Sequence, residues 1–252
     1  MNRFSELRII GVTGIPEITP GDDLPSLIAV AAREADVGIE DGDVFVVAQK
    51  IVSKAEDRIV RLDTVEPSHI AREWAAAHDK DARMVEVVLR ESKRIVRMER
   101  GIMICETHHG FVCANAGVDA SNVADDVVTL LPADSDESAR RIQATLEASF
   151  GRRVAVIVSD TFGRPWREGI TNVAIGVAGI APLIDYRGRL DSHGRPLRVT
   201  VIAIADELAS AAELVMQKSA GVPVVIIRGF DYERRAASGR ELVRPAENDL
   251  FR

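Results

Sequence analysis

Two short segments of the sequence carry side chains that suit metal and phosphate chemistry. Residues 115–122 read Asn-Ala-Gly-Val-Asp-Ala-Ser-Asn, and residues 158–164 read Val-Ser-Asp-Thr-Phe-Gly-Arg. Each places one aspartate, Asp119 or Asp160, just past an apolar, strand-like run, beside hydroxyl or amide side chains and a glycine. Carboxylate and hydroxyl oxygens are hard ligands for Mg²⁺ or Mn²⁺, which often accompany nucleotide phosphates. The two segments together predict a split cation site, to which Thr161 adds a further hard oxygen.

Ordinary structural roles account for the same residues. Asp119 suits a helix cap or an Asx-turn, and the Asp160-Thr161 pair suits a turn at the end of a strand. Strand ends beside glycine are also where α/β proteins usually place their sites, which favours the metal interpretation for the pair. On chemistry alone, both interpretations stay open.

Basic side chains elsewhere suit an anionic substrate. Lys54 follows the strand predicted at 44–48, where a lysine either contacts phosphate as a point charge or is simply solvated. Arg164 and Arg167 flank Trp166 in a glycine-bounded loop. Arginine binds phosphate or carboxylate bidentately, although a surface loop paired with nearby acids explains these arginines equally well. The sequence has neither a GxxxxGK[ST] phosphate loop nor a GxGxxG motif, so any nucleotide would be held by a less common arrangement.

Composition bounds the class of protein. The chain has 252 residues, 46% of them hydrophobic and 28% charged, which is typical of a soluble globular protein with one large or two small domains. A net charge of −7 argues against broad binding to nucleic acid or anionic membranes. We expect a cytoplasmic protein, since the sequence shows no signal-peptide pattern and no bilayer-length apolar run. Cys105 and Cys113 flank a predicted hairpin tip, and we expect buried free thiols there.

The elements that must position these residues are of mixed type. Helices are predicted at residues 24–36, 67–78, 82–92, 135–150 and 206–218, with Asp134 capping the fourth and Gly151 ending it. Strands are predicted at residues 7–12, 44–48, 95–98, 102–106, 110–114, 154–158, 198–203 and 222–227. Because strands and helices do not alternate as strict βαβ units, the pattern favours an α+β fold with mixed sheets and flanking helices. We expect a single domain over residues 1–252, with two intertwined lobes as the alternative.

Ordered stretches across nearly the whole chain resemble the coenzyme F420:gamma-glutamyl ligase family. They include Gly14-Ile15-Pro16-Glu17, Val52-Ser53-Lys54-Ala55-Glu56, residues 115–122, residues 159–167 and residues 223–229. The resemblance implies an enzyme that adds L-glutamate to coenzyme F420-0, a deazaflavin carrying a phospholactyl group, while GTP is cleaved to GDP and phosphate. It also implies the family's α+β fold and a homodimer.

The resemblance assigns roles to individual residues. Asp119, Asp160 and Thr161 would hold the divalent cations, Mg²⁺ or Mn²⁺, and a K⁺ requirement is left open. The residues assigned to GTP are Ile15, Pro16, Glu17, Ile18, Gln49, Lys50, Lys54, Asn122, Met216, Gln217 and Lys218. Independently of the family pattern, we expect Arg164 or Arg167 to orient a carboxylate or the phospholactyl group. The chain departs from some relatives, which have Ser-Thr in place of Gln49-Lys50 and a glutamate with extra glycines in place of Lys218-Ser219-Ala220.

Phosphoryl transfer from GTP to the lactyl carboxylate would give an acyl phosphate, from which the amine of glutamate displaces phosphate. Two rival functions use the same residues. A non-catalytic binder of the deazaflavin or a nucleotide needs the pocket but not paired metal ligands. A metal-dependent phosphohydrolase would use the same aspartates with water as the acceptor. The number of glutamates added and the use of a dehydro precursor stay open.

Overall fold

A computed structural model describes residues 6–121 and 125–249. In this part of the chain the helices are α1 (Leu24–Glu34), α2 (Gln49–Ala55), α3 (His69–His78), α4 (Ala82–Glu91), α5 (Ser135–Phe150) and α6 (Ile204–Met216). The strands are β1 (Arg8–Val12), β2 (Val44–Ala48), β3 (Ile59–Arg61), β4 (Ser92–Glu99), β5 (Ile102–Thr107), β6 (Val112–Ala114), β7 (Val127–Thr129), β8 (Ala155–Arg164), β9 (Arg167–Ala178), β10 (Ile184–Asp185), β11 (Val201–Ile202) and β12 (Val224–Arg228). The predicted α+β class is confirmed.

A five-stranded mixed sheet forms the centre of the fold, in the order β1-β12-β2-β8-β9. Strands β2 and β8 run parallel, whereas the other neighbours are antiparallel. The apolar run of β2 is buried on both sides, since Phe45 packs in the cluster with α1 and α5 while Val46 packs in the cluster with α6. The sheet is therefore the middle of three layers, and its parallel pair brings the carboxyl ends of β2 and β8 to the same edge.

A second layered region packs helices α3 and α4 against the three-stranded sheet β4-β5-β6. Its core includes Ala71, Val88 and Met103. Cys105 lies opposite Cys113 in the β5–β6 hairpin, and both are buried free thiols, as predicted. The loop that follows β6 runs from this region to the edge of the central sheet.

Local capping explains where several helices begin and end. The carboxylate of Asp134 accepts a hydrogen bond from the Glu137 amide at the start of α5, and Gly151 ends the helix with a φ of 63°. The hydroxyl of Ser68 caps α3 in the same way. None of the helices in the described ranges combines the length and apolarity that crossing a bilayer would require.

Several predicted boundaries were wrong. The strand predicted at 154–158 continues as β8 to Arg164, because pairing with β9 carries the polar residues past Val158. The strand predicted at 198–203 is only Val201–Ile202, which pairs with β10. Residues 49–55 form α2, a segment for which no helix or strand was predicted. Helix α6 begins two residues earlier and ends at Met216, since Gln217 adopts a φ of 49°.

Candidate active site

A cavity of about 790 Å³ opens at the carboxyl end of β2, beside the point where β8 continues past it. Its walls come from the loop before α1, from α2, from the turn after β6, from the middle of the β8–β9 ladder and from the end of α6. The lining residues are 15–18, 48–51, 54, 114–115, 117–119, 121, 159–161, 170, 172, 213, 216–219 and 221–223. Elements far apart in sequence thus converge on one polar space.

Asp119 is presented by a tight turn that follows β6. The left-handed backbone of Asn115, Ala116 and Gly117, with φ values of 51°, 52° and 74°, reverses the chain into the cavity wall. The backbone of Asp119 is then fixed by two hydrogen bonds with Thr129, of 3.0 and 2.8 Å. The aspartate is held on a paired segment of backbone and is not at the tip of a free loop.

The carboxylate of Asp119 has partners on its own turn and on α2. It accepts hydrogen bonds from the Ser121 amide at 2.7 Å and from the Ser121 hydroxyl at 2.9 Å, which is the Asx geometry proposed as the structural alternative. The ammonium of Lys50 lies 2.8 Å from its Oδ2 atom. Burial raises the pKa of Asp119, but Lys50 and Ser121 outweigh burial and hold this pKa below its ordinary value.

Asp160 lies inside β8, directly after the buried residues 155–159, and not at a strand end as the sequence suggested. A break in the β8–β9 register between Val158 and Ser159 marks a bulge immediately before it. Burial, with a smaller contribution from the negative charge of Asp119, raises the pKa of Asp160 to about 6. The amide of Thr161 and the charges of Lys218 and Lys50 act in the opposite direction. The two aspartates are therefore close enough to sense each other, although 41 positions separate them in the sequence.

Thr161 belongs to a polar network that joins β8, β9 and α6. Its hydroxyl donates to Asn172 Oδ1 at 2.8 Å and accepts from the Lys218 ammonium at 2.6 Å. Asn172 Nδ2 donates to Glu213 at 3.0 Å, and Lys218 lies 3.3 Å from the same carboxylate. Asn172 and Glu213 were not predicted from the sequence, because neither has a local motif: one is mid-strand and the other lies on an ordinary helix.

The remaining residues assigned to GTP that the structure describes also line the cavity. Ile15, Pro16 and Ile18 border it from the loop before α1, and Glu17 in the same loop forms an ion pair with Lys54. Gln49 lines it too, but its amide group is committed to Ser53 Oγ and the Leu130 carbonyl. Met216, Gln217 and Lys218 close the opposite side where α6 ends.

Two arginines predicted from the sequence are not among the residues that line the cavity. Arg164 is exposed at the tip of the β8–β9 hairpin, where its guanidinium donates to the Glu168 carbonyl at 2.9 Å. Neither it nor Arg167 is among the residues that line the cavity, and a catalytic role for Arg164 stays a prediction. Asn122 lies outside the described residues.

The donor set suits a hard divalent cation. Two carboxylates share the cavity with the hydroxyl of Thr161, and the raised pKa of Asp160 reports a carboxylate that a nearby positive charge would favour in its ionised form. Within residues 6–121 and 125–249, no cluster of at least three His, Cys, Asp or Glu side chains could hold a metal ion by itself. The residues present fit a cation that completes its ligand shell with substrate oxygens, as Mg²⁺ commonly does with phosphates.

The fold and the cavity define an α+β protein whose site combines carboxylates, hydroxyls and ammonium groups at one edge of the central sheet, a combination suited to phosphorylated substrates. Residues 13–229 match the family model described as F420-0:Gamma-glutamyl ligase. The chain belongs to this family, which confirms the resemblance seen in the sequence.

Three relatives that match most of the chain are named coenzyme F420:L-glutamate ligase. The chain is 48% identical over 249 residues to the coenzyme F420:L-glutamate ligase of Methanothermobacter thermautotrophicus, which covers 98% of this chain and 99% of the relative. It is 45% identical to that of Methanopyrus kandleri, with all of both chains covered. It is 47% identical to that of Methanocaldococcus jannaschii, with 86% of this chain and 88% of the relative covered.

Proposed function

We propose that this protein is a ligase that joins L-glutamate to coenzyme F420-0, with GTP cleaved to GDP and phosphate. The observation that carries the proposal is the near full-length identity to relatives named coenzyme F420:L-glutamate ligase. The cavity supports it, because residues assigned to cation and nucleotide binding from five separate segments line one space.

The reaction has two steps, phosphoryl transfer and amide formation. An oxygen of the lactyl carboxylate attacks the γ-phosphorus of GTP, and the bond to the β-phosphate oxygen breaks to release GDP. The amine of glutamate then attacks the acyl carbon, phosphate leaves with the C–O bonding electrons, and the nitrogen loses a proton to give the amide. A free carboxylate is a poor acyl donor, so activation by phosphorylation is what makes the second step possible.

The side chains of the cavity divide between two tasks. Asp119, Asp160 and Thr161 would hold Mg²⁺ or Mn²⁺, which supplies charge stabilisation for phosphoryl transfer. Lys50, Lys54 and Lys218 contribute ammonium groups that match the negative charge of a triphosphate as point charges.

One assay separates this function from its rivals. The purified protein is incubated with GTP, coenzyme F420-0 and Mn²⁺, with and without L-glutamate, and the products are measured by mass spectrometry and phosphate release. A ligase produces GDP and a heavier deazaflavin only when glutamate is present. Phosphate release that is independent of glutamate would identify a phosphohydrolase, and neither product would identify a binder.

A matched variant ties the activity to the cavity. Asp160→Asn should abolish turnover while the circular dichroism spectrum stays native, because the amide cannot ligate a divalent cation as a carboxylate does. Normal turnover in this variant would remove Asp160 from the site.

We further propose that the active form is a homodimer. Light scattering on the protein as it elutes from a size-exclusion column would test this by measuring its mass.

A further inference from the structure

One buried hydroxyl in the cavity has no hydrogen-bond partner. In the described part of the chain, the buried side-chain polar atoms without a partner are Thr107 Oγ1, His109 Nδ1, Ser135 Oγ and Ser159 Oγ. Of these residues, Ser159 alone lines the cavity, and it is 2% exposed. Its hydroxyl is thus removed from bulk solvent and borders the space in which the substrates would bind.

The position of Ser159 in β8 explains why its hydroxyl stays unpaired. Its neighbours across the sheet are alanines: Ala48 on β2 and Ala174 on β9. Neither side chain offers an acceptor. Alternation along the strand after the bulge places Ser159 on the same face as Thr161, next to the end of α6, while Asp160 points to the other face.

The charge of the surroundings indicates what the hydroxyl would meet. Thr161, two residues further along, contacts the ammonium of Lys218 at 2.6 Å. Lys50 and Lys54 line the same cavity and are paired with Asp119 and Glu17, so a phosphate that arrives with divalent cations can exchange partners with these pairs. A buried hydroxyl without a hydrogen-bond partner costs free energy. A ligand oxygen that accepts a hydrogen bond from it removes that cost on binding.

We propose that the Ser159 hydroxyl donates a hydrogen bond to a phosphate oxygen of a bound substrate. The inference rests on the proposed function, which offers two sources of this chemistry: the triphosphate of GTP and the phosphodiester of coenzyme F420-0. Ser159 is then a substrate-binding residue that the family resemblance does not assign. It extends the row of hydroxyls begun by Thr161 toward the end of β2.

The test compares Ser159→Ala with Ser135→Ala. Ser135 is also a buried serine with an unpaired hydroxyl, but it lies outside the cavity, which makes it a matched control. Binding of GTP and of coenzyme F420-0 is measured separately by calorimetry with Mn²⁺ present. A hydrogen bond to a charged acceptor predicts that Ser159→Ala weakens one of the two ligands about ten-fold or more. Ser135→Ala should leave both affinities unchanged.

Thermal unfolding supplies the second readout. Because the hydroxyl of Ser159 bonds to nothing in the described chain, its removal should leave the melting temperature of the ligand-free protein unchanged or higher. A serine with a structural role would instead lower it. Weaker binding without a loss of stability is therefore the expected pair of results.

Three results would overturn the inference. The first is unchanged affinity for both ligands in Ser159→Ala while the wild-type protein binds them. The second is an equal loss of affinity for guanosine, which lacks phosphate. The third is a lower melting temperature in the variant. If the wild-type protein binds neither GTP nor coenzyme F420-0, the proposed function fails together with the inference.

Discussion

Replacing Asp160 by asparagine should make the metal-free protein more stable at neutral pH, although it removes a residue assigned to the reaction. In the folded protein the pKa of Asp160 is about 6, against 3.8 for an unperturbed carboxyl. A tenfold change in proton affinity corresponds to about 1.4 kcal/mol, so ionised Asp160 costs roughly 2–3 kcal/mol of folding free energy. Asparagine has nearly the same shape and carries no charge, so the variant avoids this cost.

The sign of the pH dependence follows from proton binding. Between pH 3.8 and about 6 the folded state holds the proton of Asp160 more tightly than the unfolded state does. The stability of the wild-type protein therefore falls as the pH rises through this window. The advantage of Asp160→Asn should be near zero at the acidic end, should grow up to about pH 6, and should then stay constant.

Urea unfolding in the presence of a chelator, at several values between about pH 4 and about pH 8, measures this difference as a free energy. Asp119→Asn is the control, for which the expected change in the free energy of unfolding has the opposite sign. The pKa of Asp119 is lowered, so its charge stabilises the fold above its unfolded pKa, and this variant should be less stable at neutral pH. The burial cost assigned to Asp160 is refuted if Asp160→Asn is no more stable than wild type at about pH 7.5, or if the gap does not change with pH.

Three further predictions concern the same cavity. Mn²⁺ added to metal-free protein should raise the melting temperature more at about pH 7.5 than at about pH 5.5, because ligation needs ionised Asp160; equal shifts in scanning fluorimetry would contradict this. Lys50→Met should raise the pKa of Asp119, whose Oδ2 lies 2.8 Å from the ammonium, and an unchanged value by NMR titration would count against the pairing. Gly117→Ala should cost about 1–2 kcal/mol or more in urea unfolding, because its φ is +74° and an added Cβ would lie 2.7 Å from Leu131 Cγ; wild-type stability would exclude that strain.

The parts of the fold that the sequence predicted well are those with local causes. Helix α5 begins after Asp134 and ends before Gly151 as expected, because the cap carboxylate and the left-handed glycine act within a few residues. Strand β2 was placed correctly because a continuous apolar run is what a strand buried on both faces requires. Both signals are readable without knowing the partner elements.

The parts that failed depend on partners that the residues of a segment do not themselves reveal. Helix α2 follows β2 directly and has no side-chain cap. It is anchored instead by Gln49 and Ser53, which both bond to the Leu130 carbonyl. The polar half of β8 is extended because β9 pairs with it as far as Arg164, whatever its own composition favours. The contacts with Leu130 span 81 and 77 positions, whereas the β8–β9 pairing is local but involves polar residues without the apolar pattern of a strand.

The candidate site shows the same division. The chemistry of Asp119, Asp160 and Thr161 was evident from their types, and the structure places them on one cavity. Asn172 and Glu213 entered the site only through the network that crosses from β9 to α6. Residue type therefore predicted which groups are suited to binding a cation or phosphate. The topology of the fold determined which of these groups lie together.

Ion pairs inside the cavity can be replaced by contacts to a nucleotide and its cations. Three acids are already countered by ammonium groups: Asp119 by Lys50, Glu17 by Lys54 and Glu213 by Lys218. A buried charge without a partner is costly, so a site built only of acids or only of lysines would be unstable before substrate arrives. A triphosphate and its divalent cations bring both signs at once. The lysines can then turn to phosphate oxygens while the carboxylates, including Asp160, which forms no ion pair within the described residues, turn to the cations. A chain of net charge −7 can therefore hold a polyanion, since the pairing inside the cavity governs binding and the overall sign does not.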